Sequence, residues 1–315
     1  MPTECFLGID TSNYTTSVGL VDKSGEVLAN IKRPLPVGEG ERGLRQSDAL
    51  FAHVKNLPSA MQELASLMDG RSIIAIGVSG RPRNVEGSYM PCFLGGVAAA
   101  QSAAAVHGVP LYTFSHQCGH LMAAVHSSGR YDLLAHPFGA FHVSGGTTEL
   151  VRAEKAKGGF CVSCVGGAKD LHAGQAVDRI GVAMGLSFPC GPALEALALQ
   201  NTKKIPRKRV AQDGCYVNLS GLENMALKLY HDTGDAPLTA AFVFDFLGNA
   251  LVEMAKAYQA LYGEGTMLFA GGVMSNSILR SRIESELDAA FASPALSADN
   301  AVGIALLTAM AHAAE

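Results

Sequence analysis

Gly139-Ala140-Phe141-His142-Val143-Ser144-Gly145-Gly146-Thr147-Thr148-Glu149-Leu150-Val151-Arg152-Ala153 reads as an apolar strand, a polar glycine turn and a returning strand. About 130 residues earlier the chain opens in the same way. Glu4–Ile9 is apolar, Asp10-Thr11-Ser12-Asn13-Tyr14-Thr15-Thr16 is a polar turn, and Ser17–Val21 returns. That spacing is too long for a solenoid and suits a duplicated domain. A third turn, Ala270-Gly271-Gly272-Val273-Met274-Ser275-Asn276, follows the strand Thr266–Phe269 and leads into a helix that Ser275 or Asn276 would cap. Glycines let a backbone approach an anion closely, and N–H groups at turns and helix starts point their positive ends at phosphate. Three such turns after three apolar strands predict a nucleotide held by its phosphates. Ser144, Gly145, Gly146, Gly271 and Gly272 supply the backbone, and Thr11, Ser12, Thr147 and Thr148 supply hydroxyls. The P-loop and Rossmann glycine fingerprints are both absent.

The remainder of the chain fits an α/β protein of two lobes. It has 315 residues, roughly twice a typical domain. Asp48–Met68 repeats Leu50, Val54, Leu57, Met61, Leu64 and Leu67 at helical spacing, Ile73–Val78 is a buried-type strand, and Leu94–His107 is a helix of small residues. Leu238–Leu261 is a long helix with an apolar stripe. Hydrophobic residues make up 48% and charged residues 17%, with mean hydropathy +0.20. No uninterrupted apolar run approaches the ~18–20 residues of a membrane span, so no membrane is expected. The net charge of −4 gives no global basic field for nucleic acid. One local run, Lys203-Lys204-Ile205-Pro206-Arg207-Lys208-Arg209, is either a solvated loop or a contact for RNA phosphates, with Arg81 and Arg83 as second candidates. Seven scattered cysteines read as reduced thiols of a cytoplasmic protein, and the lone Cys161/Cys164 pair as half-buried strand residues.

Ser115-His116-Gln117-Cys118-Gly119-His120 sets two imidazoles four residues apart, on one face of a helix if the segment is helical. Such a pair is either ordinary helix surface or half of a metal site. Gln117 stands where a zinc protease carries its glutamate base, which argues against peptide hydrolysis. Asp299, ahead of the apolar C-terminal segment, is either a third ligand or a plain helix cap.

Taken in order, several segments resemble the tRNA threonylcarbamoyltransferases, the family of bacterial TsaD. They are Leu7-Gly8-Ile9-Asp10-Thr11-Ser12, His116-Gln117-Cys118-Gly119-His120, Val143-Ser144-Gly145-Gly146-Thr147-Thr148 and Ala173-Gly174-Gln175-Ala176-Val177-Asp178-Arg179. Pro189-Cys190-Gly191-Pro192, Leu219-Ser220-Gly221-Leu222, Gly271-Gly272-Val273-Met274-Ser275-Asn276 and Asp299-Asn300 complete the set. The resemblance implies an actin/hexokinase/Hsp70-like fold of duplicated ribonuclease-H-like lobes around a nucleotide cleft. The first lobe would span 1–112, completed by a C-terminal helix at 300–315, and the second 113–299. It implies one divalent metal, iron or zinc, on His116, His120 and Asp299, with Ser144, Gly145 and Gly146 along the phosphates. Asp170, Gly174, Asp178 and Asn276 would bind the ribose and adenine side. The implied reaction passes a threonylcarbamoyl group from threonylcarbamoyl-adenylate, made from ATP, to N6 of adenine in tRNA. Implied partners are tRNA, an adenylate-forming enzyme and a TsaB-like subunit, or self-association through the first lobe, with Leu94–His107 as a contact.

The chain departs from the family pattern at three places. Cys-Asp-Glu-Thr is replaced by Asn13-Tyr14-Thr15-Thr16, so the acidic pair becomes Tyr14 and Thr15 and the catalytic groups stay unassigned. Thr-x-Gly-Pro-Gly-Leu becomes a loop beginning Ser79-Gly80-Arg81-Pro82-Arg83-Asn84, and Ser-Gly-Gly-His-Thr becomes Ser144-Gly145-Gly146-Thr147-Thr148. Metal and nucleotide determinants survive better than acid/base ones. That pattern suits a diverged paralogue, or alternatively a non-catalytic nucleotide-binding partner or regulatory subunit of the same fold.

Overall fold

The computed structural model describes residues 2–12, 14–36, 44–156, 159–263, 265–297 and 301–315. It divides into two compact units: residues 1–129, 154–162 and 295–315, and residues 130–153 and 163–294.

The first unit starts with β1 (Thr3–Ser12), β2 (Thr15–Asp22) and β3 (Val27–Pro34), then α1 (Gln46–Ser66), β4 (Arg71–Arg81), α2 (Phe93–His107), β5 (Leu111–Ser115) and α3 (His116–Ser128). Its sheet runs β3-β2-β1-β4-β5; β1, β2 and β3 are antiparallel neighbours, and β4 and β5 lie parallel to β1. Alternating apolar residues on β1, β2 and β4 (Leu7, Ile9, Val18, Leu20, Ile76, Val78) meet Leu57, Ala60 and Leu64 of α1 and Ala100 and Ala104 of α2 in one core.

The second unit carries β6 (Phe138–Val143), β7 (Thr148–Ala156), β8 (Gly159–Ala168), α4 (Ala173–Ala183), α5 (Gly191–Ala198), β9 (Ala211–Asp213), β10 (Tyr216–Asn218), α6 (Ser220–Thr233), α7 (Ala236–Tyr262), β11 (Met267–Ala270), α8 (Ser277–Glu284) and β12 (Ala289–Phe291). The ends of β7 and β8 at 154–162 group with the first unit. The sheet order is β12-β11-β6-β7-β8-β10-β9. Its first five strands, read from β8, reproduce the β3-β2-β1-β4-β5 order of the first unit, which is the duplication expected from the two turns. Phe141 stacks on Phe269 with centroids 4.8 Å apart at the centre of this core.

α7 is long and apolar enough to cross a membrane by length and composition, but 83% of its apolar window is buried in the protein, so it is a core helix. Short α9 (Pro294–Ser297) is followed by α10 (Val302–Ala313), which packs on β1, β2, β4 and α3 and groups with the first unit. The expected boundary at 112/113 is displaced. β5 pairs with β4, so β5 and the α3 that follows it belong to the first unit, and the histidine pair with them. Cys161 and Cys164 do lie on a strand, yet both are exposed rather than half-buried.

Candidate functional site

In the first unit the polar residues gather where β1 ends. Asp10, Thr11, Ser12, Thr16, Ser17, Ser79 and Ser115 are all buried, an unusual density of polar groups for a sheet interior. Asp10 organises them. Its Oδ1 accepts a hydrogen bond from Ser79 Oγ and lies 2.9 Å from His116 Nδ1, while Oδ2 accepts from Ser12 N at 3.4 Å. Ser115 caps α3 by accepting from Cys118 N, so the helix starts at His116 and carries His120 one turn on. The two rings meet edge to face, with Nε2 atoms 2.9 Å apart.

This arrangement has a chemical direction. A carboxylate facing Nδ1 holds the proton there and leaves Nε2 as a lone pair, the orientation that metal-binding histidines take from their outer partners. Two Nε2 atoms at 2.9 Å match adjacent ligands on one ion, since metal–nitrogen bonds of about 2.0–2.1 Å place cis nitrogens roughly 3 Å apart. The donor set therefore fits a divalent ion. Among the described residues no group of three metal-capable side chains occurs, and Asp299, the expected third ligand, lies outside the described residues with Asn300.

Thr11 and Ser12, expected at a phosphate, are built inward instead. Thr11 Oγ1 donates to Cys92 O at 3.1 Å and accepts from Gly96 N at 3.1 Å, tying β1 to α2. Of the replaced acidic pair, Tyr14 is 46% exposed and Thr15 opens β2 opposite Ser12.

In the second unit, β6 and β11 are parallel neighbours, so their C-terminal turns emerge side by side. Ser144 N donates to Thr147 O at 2.8 Å, closing the first turn with Gly145 and Gly146 exposed. Thr148 Oγ1 accepts from Ala173 N at 2.8 Å and pins the start of α4 behind it. A Cβ on Gly174 would stand 2.6 Å from Gly145 Cα and from Ser144 O, so α4 begins directly on the turn backbone. Gly271 has φ +102°, and a Cβ there would lie 2.3 Å from Val143 O, whereas Gly272 faces open space. Asn276 caps α8 as expected, accepting from Leu279 N at 2.9 Å, and its amide NH2 has no partner among the described residues. Exposed glycines and turn backbone thus stand at the C-terminal ends of the neighbouring strands β6 and β11.

Asp178 accepts from Cys190 N at 2.8 Å. Asp170 is largely occupied by the protein: it accepts from Leu171 N, Leu219 N, Ser220 N and Ser220 Oγ, fixing the start of α6. Desolvation pushes its carboxyl upward, but these donors outweigh it and hold the group below the usual carboxylate range. Lys203 pairs with Asp235 at 2.6 Å, while Lys204, Arg207, Lys208 and Arg209 are exposed on the loop before β9. Arg81 donates to Asn84 Oδ1 at 3.2 Å.

Two helpers of the site carried no signal of their own in the sequence. Ser79 stands 69 residues from its partner Asp10, and His53 sits inside an ordinary helical pattern.

Solved structures of this fold include a ROK family glucokinase from Streptomyces griseus (TM-score 0.53, 15% identity, covering 96% of this chain and 99% of that one). HypF from T. kodakarensis aligns with TM-score 0.60 and 13% identity, over 98% of this chain and 47% of that one. Both share the actin/hexokinase-type fold. The model of the TsaD family, tRNA N6-adenosine threonylcarbamoyltransferase, matches residues 40–306. Proteins of that name from Streptococcus suis (strain 05ZYH33) and Streptococcus pneumoniae (strain Taiwan19F-14) are each 32% identical, covering 91% and 89% of this chain and 85% and 83% of theirs. The chain belongs to the tRNA N6-adenosine threonylcarbamoyltransferase family, a family of transferases and not of proteases.

Proposed function

We propose that this chain transfers the threonylcarbamoyl group of threonylcarbamoyl-adenylate to N6 of an adenine in tRNA. The observation that carries the reading is the line from buried Asp10 through His116 to His120, with its two Nε2 atoms 2.9 Å apart. His116 and His120, with Asp299, would hold one iron or zinc ion, which when bound supplies positive charge beside a departing phosphate. The turns at Ser144–Thr147 and Gly271–Asn276 hold the phosphates through backbone N–H groups, and Asp178 and Asn276 serve the nucleoside. Attack of N6 on the carbonyl forms a C–N bond as the bond to the AMP oxygen breaks, and the amine loses a proton. No carboxylate stands at 14 or 15 to take it, so the leaving phosphate is the base at hand.

The partners follow from chemistry. A labile mixed anhydride requires an enzyme that makes it from ATP, and tRNA is met by the exposed cations Lys204, Arg207, Lys208 and Arg209. Leu50, Val54, Leu57, Pro58 and Met61 of α1 and Leu94 of α2 line an apolar groove of about 620 Å³. There a TsaB-like subunit would dock and cover Phe51 (66% exposed) and Val54 (54%). The protein works in the cytoplasm, where all seven cysteines stay free thiols.

The test is metal analysis of purified protein and of His116→Ala, with mass spectrometry of tRNA nucleosides after reaction with adenylate and partners. Metal lost on substitution and a threonylcarbamoyl group on adenine support the reading; metal-free protein sinks the metal's part in it. The neutral Tyr14 and Thr15 favour one second reading, a nucleotide-binding subunit without transfer. Adenylate binding with unmodified tRNA, all partners present, selects that reading.

A further inference from the structure

α1 turns two faces to its surroundings. Leu50 and Val54 line the groove, while His53, between them, points inward and is fully buried. Packing does not call for an imidazole there. A leucine would fill the space without a polar ring to desolvate, and burial indeed pushes His53 below the ordinary imidazole range. What the ring does is bridge a turn. Its Nδ1 lies 2.8 Å from Thr16 Oγ1, which also accepts from Asn56 Nδ2 at 3.3 Å. Among the described residues both His53 Nε2 and Ser12 Oγ are buried without a hydrogen-bond partner, so the ring's bond to the turn is the one to Thr16. Thr16 opposes Thr11 across the β1–β2 pair and Ser12 opposes Thr15, so by holding Thr16 the imidazole braces the β2 arm of the turn whose β1 arm carries Asp10. From the other side α2 grips Thr11 through Cys92 O and Gly96 N. Ser12 N in turn donates to Asp10, and Asp10 faces His116.

We infer that His53 is a positioning residue for the transfer reaction: by holding Thr16 it fixes the β1–β2 turn and, through Asp10, the aim of His116. The inference rests on the transferase reading of this site. The exposed groove face of α1 and the inner, turn-bracing face are then two roles of one helix.

The test uses full-length His53→Asn, His53→Leu and Thr16→Val, and the His53→Leu/Thr16→Val double variant. Asparagine keeps an acceptor near the position of Nδ1; leucine fills the volume without one, and Thr16→Val removes one hydroxyl at constant shape. Amide hydrogen exchange across residues 10–17 is read beside the melting temperature, and kcat and KM for the adenylate beside both. Expected are faster exchange confined to that segment and a fall in kcat of about tenfold for His53→Leu and Thr16→Val, with KM unchanged to about twofold. The double variant is no worse than the poorer single one, and His53→Asn recovers most of the loss. Unchanged exchange and kcat in His53→Leu, or His53→Asn failing as badly as leucine at equal melting temperature, overturns the inference. If His53→Leu does not fold, Thr16→Val decides by the same two readings. Wild-type protein that modifies no tRNA defeats the transferase reading instead, and the exchange measurement still decides whether His53 holds the turn.

Discussion

A carboxylate with no exposure at all, as at Asp10, is costly unless donors surround it, and here Ser79 Oγ, Ser12 N and His116 do so. Asp10→Asn keeps the size and removes the charge that holds the proton on His116 Nδ1. Zinc or cobalt affinity, measured by chelator competition, is expected to fall about 10–100-fold while the melting temperature changes little. Gly271→Ala acts differently, because it places a Cβ against Val143 O at φ +102°. A loss of about 1–3 kcal/mol of stability is expected from urea unfolding, together with lost AMP binding by calorimetry. Burial also sets a pH dependence. His53 and His126 are both held below the ordinary imidazole value of 6.5, so the unfolded chain binds protons there that the folded one refuses. Their neutral forms cost the fold nothing above 6.5, and stability falls as pH drops below it. Urea midpoints at pH of about 7.5 and about 5.5 should separate less in His53→Asn than in the wild type.

At the scale of elements, strands and turns were readable because their chemistry is local. Alternation, glycine and the Asn276 cap act within a few residues, and β6, β7 and β11 fall close to where those signals put them, while β1, β2 and β4 run on through residues 10–12, 15–16 and 79–81 that read as turn or loop. α1 shows what was not readable. Its apolar stripe runs through Leu50, Val54, Leu57, Met61, Leu64 and Leu67, yet only Leu57 and Leu64 of it are on the buried face, which is completed by Ala49, His53 and Ala60. Helical spacing finds an apolar face without saying what covers it, and here a second, tilted face lines the groove with α2. The same limit hid the Asp10–Ser79 and His53–Thr16 bonds, which span long stretches of chain that only the folded sheet brings together. If the groove takes a companion's helices, a charge in its floor must be desolvated without a partner. Val54→Glu with Leu94→Glu is expected to abolish complex formation in sedimentation velocity and to leave the melting temperature of the isolated chain nearly unchanged, since both positions are already exposed. A complex that survives both charges places the partner elsewhere.

For the molecule as a whole, the net charge of −4 means that RNA is repelled by the average surface and can be drawn only by a local field. The loop before β9 is the one run of sequence that supplies it, and Lys203 is partly neutralised there by Asp235. Arg207, Lys208 and Arg209 are exposed and form no ion pair among the described residues, so their charge is available to phosphate. Each phosphate neutralised releases counterions and adds about 0.9 to the slope of log affinity against log salt. Changing Arg207, Lys208 and Arg209 to Gln takes the net charge from −4 to −7, three charges fewer. If all three touch the backbone, the salt slope for tRNA falls by about 3 units. Binding weakens alike for any tRNA sequence, because phosphate contacts position the RNA without reading bases. AMP binding, which uses the glycine turns, stays as it was. Equal salt slopes for the two proteins would show that the loop is solvated and that RNA docks on another face.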